Sequence, residues 1–423
     1  MHHFHYRGGV LHAENVDLRE IAARVGTPVY VYSHATIERH LKVFRDAFAS
    51  RSVGLFYAVK ANGNLAVLKI VAQSGTGADV VSQGEIRKAM AADIAPEKII
   101  YSGVGKTDED LNFAIDAGLY QVNVETEGEL MRLATLAEQK KKQVAVALRV
   151  NPAIGAGGHA KITTGTEDNK FGISTADAMR LYKDAQHYPF LKTVGLAVHI
   201  GSQIHDLAPL RETFVFLRKM AEDLRAQGLP LERLDLGGGL GVFYDREEEA
   251  KAGENRVQAY AAMVLDVMHG FDAHLSFEPG RLIMANAGLL LTKVITHNPR
   301  AQKKFLIVDA AMNDLARPAL YEARHEIWPV KEGAASVAYS VAGPVCESGD
   351  TFGDNFMLPE QDRGDLVCLM SAGAYGSVMS STYNQRQLAA EVLVSGDQWA
   401  VVRPRQSYDD LIRADSLPPW LKA

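Results

Sequence analysis

A lysine placed where an apolar run stops is the first residue in this chain whose position could do chemistry. Residues 55–59 are short, apolar and aromatic, a pattern of strand type, so Lys60 of Tyr57-Ala58-Val59-Lys60-Ala61-Asn62 sits where that strand gives way to a polar turn. Its amine is poised there rather than buried, and in unprotonated form it could make a Schiff base with an aldehyde or carbonyl compound. Taken alone, the hexapeptide reads more simply as a solvated lysine at a strand end, because charged side chains are mostly exposed. Other chemically able residues further along the chain change that reading.

His199, in His199-Ile200-Gly201-Ser202-Gln203, falls on a strand-like run with Ala197 and Gly195 on its own face. It is either a satisfied core histidine or a ring free to lie flat on a ligand. The run Gly237-Gly238-Gly239-Leu240-Gly241 offers backbone N–H groups of the kind that hold phosphate, with a tight turn as the plain alternative. A dinucleotide fingerprint starting at Gly237 fails, because its sixth position is Val242. Glu278-Pro279-Gly280-Arg281 supplies a carboxylate and a guanidinium, which alone could be a surface ion pair. A carboxylate is also the group that keeps a pyridine nitrogen protonated and so makes such a ring an electron sink. Cys346 could be a small buried hydrophobe, but Pro344 before it and Glu347, Ser348, Gly349 and Asp350 after it put it in a turn.

The elements that must position these residues follow a rhythm. Strand-like runs at 55–59, 78–81, 99–101, 121–124, 144–150, 194–200, 231–236 and 274–277 alternate with helical patterns, the clearest at 207–224 with Leu210, Phe214, Leu217 and Leu224 on one face. Eight strands separated by helices is the order of a (β/α)8 barrel of the TIM type. An open doubly wound sheet competes, but here the count closes at eight and the alternation then stops. A barrel works at the C-terminal ends of its strands. Lys60 follows the first strand, Ser82 and Glu85 the second, Asn151 the fifth, His199 the sixth, the glycine run the seventh and Glu278 the eighth, so polar and glycine residues gather at one rim.

Before the barrel, residues 11–28 read as an amphipathic helix with Leu18, Ile21, Ala22 and Val25 at helical spacing, followed by a strand at 29–32. After Arg281, strand-like runs at 289–296, 304–308, 338–341, 366–370 and 391–394 are divided by turns with little helix. The expected division is a barrel domain over 33–285 and a mostly β domain, a sandwich or barrel, built from 286–423 and from the N-terminal segment 1–32.

The 423 residues fit about two domains, and 47% hydrophobic with 23% charged residues is a soluble globular composition. A net charge of −6 leaves no basic footprint for nucleic acid, and neither a lysine cluster nor a long apolar run points to a membrane. With only Cys346 and Cys368, no disulfide framework is expected, and without a signal-peptide pattern the cytoplasm is the expected location. His2, His3 and His5 lack the partners of a closed metal site and are read as a surface terminus, so no metal is expected.

The motif around Lys60, the motif around His199, the glycines 237–239, Glu278-Pro279-Gly280-Arg281 and Gly343-Pro344-Val345-Cys346-Glu347-Ser348-Gly349-Asp350 together resemble the signature set of the alanine-racemase-like, fold type III pyridoxal phosphate enzymes, in their decarboxylase branch. The similarity runs in the family's order from about Thr27 to about Asp410. Met312-Asn313-Asp314-Leu315-Ala316-Arg317-Pro318-Ala319-Leu320-Tyr321 and the Cys346-Glu347 pair resemble the diaminopimelate decarboxylases in particular, since ornithine-type relatives generally carry aspartate after that cysteine.

The resemblance implies that Lys60 holds pyridoxal 5′-phosphate through its amine, that His199 stacks on the ring and that Glu278 binds the ring nitrogen. It implies phosphate contacts from Ser202, Gly238, Gly239, Gly280 and Arg281 with Tyr375 nearby, and a distal carboxylate held by Arg281, Arg317 and Tyr321, with Glu347 on the distal ammonium. Cys346 would donate a proton from the partner subunit of a homodimer, and Lys170 would pair with Asp350 across the interface. The implied reaction is decarboxylation of meso-2,6-diaminopimelate at its D-carbon to L-lysine and carbon dioxide. Alternatives are a decarboxylase for another basic amino acid or polyamine precursor, a racemase, which would need a tyrosine base opposite the lysine, and a non-catalytic cofactor-binding regulatory homologue.

Overall fold

The structure is a computed structural model that describes residues 2–155, 169–248 and 255–421. It forms two compact units, one spanning Glu38–Ile283 and the other Met1–Ile37 with Met284–Ala423.

The first unit is a closed barrel of eight parallel strands, Val53–Ala58, Gly77–Val80, Ile99–Tyr101, Gln121–Val124, Val144–Arg149, Leu191–Ala197, Arg233–Asp235 and His274–Phe277. Each pairs with the next, and the last closes on the first with Leu275 opposite Val53. Alternation along each strand sends one set of side chains out to the helices and the other into the lumen. Outside, Phe277 packs 4.6 Å from Phe48 and 5.5 Å, edge to face, from Phe44. Inside, Asp79, Asn123, Asp235 and Ser276 are buried at alternate positions, where barrels normally carry branched aliphatic residues. Gly195 admits no side chain, because a Cβ would stand 2.0 Å from the carbonyl oxygen of Arg233.

The helices begin where the rim loops end. Ser82, Thr107, Thr126 and Ser174 each accept the backbone N–H three residues on, satisfying donors that a helix start otherwise leaves bare. After Gly77–Val80 and Gln121–Val124 this leaves loops of only two residues before the helices that begin at Gln83 and Glu127. Among the described residues no helix is long and apolar enough to cross a membrane.

In the second unit the long strand Gly288–Pro299 is the hub. It pairs with Val29–Ser33, with Leu366–Leu369 and with Lys304–Val308, so the strand expected at residues 29–32 belongs to the β domain. Its alternate residues Leu289 and Leu291 join Val29, Val31, Val392 and Val394 in one buried cluster against Leu18 and Ile21. The helix expected over 11–28 is shorter than its pattern suggests. Val10–Ala13 is the middle strand of a small antiparallel sheet with Phe4–Arg7 and Val16–Asp17, and the helix is Leu18–Val25. The positive φ of Glu14, 51°, closes the turn between the last two strands, and Asp17 then caps the helix by accepting the N–H of Arg19.

Candidate active site

Lys60 stands in a single 3-10 turn, Val59–Ala61, directly after the first barrel strand. The surrounding hexapeptide folds on itself: the Tyr57 hydroxyl donates to the carbonyl of Asn62 at 3.0 Å, and the Asn62 side chain accepts the N–H of Asn64, which caps the next helix. The lysine is left 39% exposed with its Nζ 3.8 Å from a carboxylate oxygen of Asp79. It opens into a pocket of about 410 Å³ lined by Lys60, Asn123, Arg149, His199, Asp235 and Glu278 among others.

His199 lies two residues beyond the end of its strand, not on it as the sequence suggested. Its Nδ1 accepts the N–H of Gly238 at 3.2 Å, which leaves Nε2 to carry the proton. Burial, and then the charges of Lys60 and Arg149, push the ring's pKa well below its ordinary value, so the imidazole is neutral. The glycines around it let three loops converge. A Cβ on Gly238 would stand 2.4 Å from the carbonyl oxygen of Glu278, and one on Gly239, whose φ is 107°, would stand 2.5 Å from that of Gly201.

Opposite the lysine lies a cluster of acids. The Asn123 amide donates to Asp235 at 3.1 Å and to Glu278 at 3.4 Å, and the Gly237 N–H donates to Asp235 at 3.0 Å. Burial pushes Asp235 up to about 6. Burial, with Asp235 and Asp79 nearby, pushes Glu278 well above the usual carboxylate range. Both oxygens of Asp79 are buried without a hydrogen bond of normal geometry. Arg149 donates to Glu125 at 2.8 Å and lies 4.9 Å over the ring of Phe171.

At the same rim Arg281 is buried and bound, donating from Nη1 to the Tyr244 hydroxyl at 2.7 Å and from Nη2 to Ser202 at 3.1 Å. A Cβ on Gly280 beside it would stand 3.0 Å from the Cβ atoms of both Ala58 and Ala61. Ser82 caps a helix, and Glu85, raised to about 7 by burial, accepts the N–H of Val81. Asn151 shapes its own loop, accepting the N–H of Ala153 and donating to the carbonyl of Phe171.

The remaining expected residues lie in the β unit. Arg317 and Tyr321 are the first and last residues of one short helix, and the Arg317 guanidinium meets His325 Nε2 at 2.9 Å. Cys346 is exposed, its N–H donating to the Asn384 side chain at 3.1 Å, and the nearby Glu347 carboxylate raises the pKa of the Tyr383 hydroxyl above its ordinary value. Asp350, expected to meet Lys170 of a partner, is buried in its own unit, where it accepts the N–H groups of Met312 and Val345, both at 2.7 Å. Tyr375 sits in a turn with φ at 55°. Lys170 lies 5.2 Å over the ring of Phe171.

The barrel thus brings together Lys60, His199, Ser202, Gly238, Gly239, Glu278, Gly280 and Arg281. Reading the sequence alone missed Asp79, Asn123, Arg149, Asp235 and Tyr244. The available signal was a carboxylate inside a buried strand, as in Ala78-Asp79-Val80 and Leu234-Asp235-Leu236, because acids are almost never fully buried without a reason.

Residues 34–285 match the family described as "Pyridoxal-dependent decarboxylase, pyridoxal binding domain". A protein of Zymomonas mobilis named diaminopimelate decarboxylase is 45% identical over 99% of this chain and 99% of its own, and one of the same name from Pseudomonas aeruginosa is 44% identical over 98% and 99%. Among solved structures, a Helicobacter pylori diaminopimelate decarboxylase complexed with L-lysine covers 94% of this chain and 99% of its own at 38% identity, with a TM-score of 0.89. The M. jannaschii diaminopimelate decarboxylase covers 99% of each at 34% identity and a TM-score of 0.94. With likeness of this extent across both units, the chain belongs to the pyridoxal-dependent decarboxylases and, within them, to the diaminopimelate decarboxylase family.

Proposed function

We propose that the protein removes the carboxylate from the D-configured carbon of meso-2,6-diaminopimelate, giving L-lysine and carbon dioxide, with pyridoxal 5′-phosphate as cofactor. The observation that carries this reading is the barrel pocket, where the Lys60 amine, a neutral imidazole and the Glu278 carboxyl line one cavity of about 410 Å³. The residues present fit the cofactor: Asp79 is a buried acid with unfilled hydrogen-bonding capacity beside Lys60, and the glycines at 238 and 239 form a cradle that any Cβ would fill.

When bound, the cofactor supplies a protonated heteroaromatic ring able to accept the electron pair left by departing carbon dioxide. Lys60 holds it through its aldehyde. Glu278, as a carboxylate, would hold the proton at the ring nitrogen, and His199, oriented by the N–H of Gly238, would present the flat face of its own ring. Ser202, Gly238, Gly239, Gly280 and Arg281, with Tyr375, bind the phosphate. Arg281, Arg317 and Tyr321 receive the substrate's distal carboxylate, for which a planar guanidinium offers two parallel hydrogen bonds, and Glu347 receives the distal ammonium. Cys346 delivers a proton to the carbon that has lost its carboxylate, acting across the interface of a homodimer. The reading also places the enzyme in the cytoplasm, where its two free cysteines suit a reducing compartment.

Lysine and ornithine lack the distal carboxylate, and a buried guanidinium left unmatched costs on the order of 3 kcal/mol, about a hundredfold in rate. Carbon dioxide release from diaminopimelate, lysine, ornithine and arginine tests this directly. Turnover should be confined to diaminopimelate, and equal rates with lysine or ornithine defeat the substrate assignment. Lys60→Ala should lose both turnover and the absorbance of lysine-bound cofactor; an intact band with full activity removes that role.

A further inference from the structure

We infer that His325 is a positioning residue that fixes the Arg317 guanidinium, as a neutral imidazole, in the orientation that receives the substrate's distal carboxylate. The inference rests on the reading of Arg317 as a carboxylate-binding residue.

The geometry defines the ring's protonation. His325 Nδ1 stands 2.8 Å from the carbonyl oxygen of Met370, and a carbonyl can only accept, so Nδ1 carries the proton. Arg317 Nη1 stands 2.9 Å from His325 Nε2, and a guanidinium can only donate, so Nε2 presents its lone pair. The two contacts admit one neutral tautomer. A second proton would set N–H against N–H between two cations, in a place where His325 is 1% and Arg317 5% exposed.

The sheet holds this ring firmly. Met370 follows the strand Leu366–Leu369, which pairs with Ile327–Pro329, and its two backbone groups clamp the segment carrying the histidine: the Met370 N–H donates to the Glu326 carbonyl and the Met370 carbonyl accepts from His325. Arg317 is reached from the other side, at the start of the helix Arg317–Tyr321, so the imidazole transmits the sheet's rigidity to a long side chain. The chemical type matters as much as the position. A carboxylate here would orient the guanidinium and also cancel its charge. An imidazole takes one donor and leaves the positive charge for an anion, which is what selection of a dicarboxylic amino acid over a monocarboxylic one requires.

Two substitutions in the holoenzyme separate the two contacts. His325→Asn places an amide near Nδ1, preserving the bond to Met370 and losing the reach to Arg317. His325→Gln extends a carbonyl toward the Nε2 position, preserving an acceptor for Arg317 and losing the bond to Met370. Steady-state kinetics with diaminopimelate should show KM raised about tenfold in the asparagine variant with kcat changed less than about threefold, and KM within about threefold of wild type in the glutamine variant. In an Arg317→Met background, His325→Asn should raise KM no further. Cofactor absorbance should be unchanged throughout. Equal KM in the two variants, the reverse order, or an undiminished effect of His325→Asn without the arginine overturns the inference. If Arg317→Met alone leaves KM untouched, the carboxylate reading of Arg317 fails, and the inference with it; a raised KM there with none in His325→Asn sinks the inference only.

Discussion

Replacing Glu278 with glutamine should make the cofactor-free protein more resistant to rising pH while disabling it as an enzyme. Asp235 has its pKa raised from 3.8 to about 6, chiefly by burial, and Asp79 and Glu278 move in the same direction. An acid whose pKa is higher folded than unfolded binds its proton more tightly in the folded state. Its contribution to stability is therefore present below about pH 4 and is lost as pH rises through 6. For Asp235 alone the shift of about two units corresponds to on the order of 3 kcal/mol. The glutamine amide has nearly the same shape as the protonated carboxyl: its carbonyl can accept from Asn123 and Ser102, and its NH2 can donate toward Asp235. One acid leaves the cluster and its neighbour gains a donor, so part of that loss disappears. Melting midpoints of cofactor-free wild type and Glu278→Gln between pH 5 and 8 should be close at the acid end and diverge in the variant's favour at the alkaline end. The depressed pKa of His199 costs stability only as pH falls below about 6.5, and equally in both proteins, so it cancels in the difference. In the holoenzyme the amide cannot hold a positively charged ring nitrogen, and kcat should fall by about 10² or more. Parallel melting curves, or a variant with full turnover, would refute the reasoning.

Gly238→Ala puts a Cβ 2.4 Å from the carbonyl oxygen of Glu278, and overpacking of this kind costs about 1–3 kcal/mol; cofactor titration by absorbance should show weakened binding. Asp350→Asn keeps one acceptor where Met312 and Val345 need two, so the loop carrying Cys346 should lose about 1–2 kcal/mol, seen as a lower kcat with cofactor binding intact. Phe277→Ala opens a cavity against Phe44 and Phe48 and should cost about 3–5 kcal/mol in denaturant titration with the substrate preference unaltered.

The barrel was legible because parallel strands covered on both faces read as short, mostly apolar runs, and eight of them could be counted. The β unit was legible only in its buried strands. Gln398–Arg403, half exposed, and Thr351–Leu358, broken by Gly353, carry too little apolar signal, and both were missed. The small N-terminal sheet failed for a different reason: its strands are four residues or shorter, and the strong helical spacing that starts at Leu18 invites extension backward over them. Lys60, His199 and Glu278 stood out because small residues and glycines surround them in their loops. Asp79, Asn123 and Asp235 did not, because one polar residue in an apolar strand has no period, and it acquires meaning only when the barrel closes and brings it beside others from distant strands. His325 was hidden in another way, lying in Glu322-Ala323-Arg324-His325-Glu326, which reads as a solvated charged turn.

Those lumen acids conflict with the fold that carries them. A barrel interior filled with aliphatic side chains would be the more stable choice, and each buried carboxyl here has its pKa raised, so each weakens the bare fold near neutral pH. The outer shell offsets this with an aromatic cluster, Phe44, Phe48, Tyr260 and Phe277, in mutual contact around the last strand. The cost also has a direction. Positive charge placed among these three acids favours their ionised form, and whatever binds the folded state by that charge restores stability in proportion to its affinity. Stability lost by the empty barrel is in this way coupled to the binding of a cationic ring, and the acids that make the pocket expensive are the ones that make it selective.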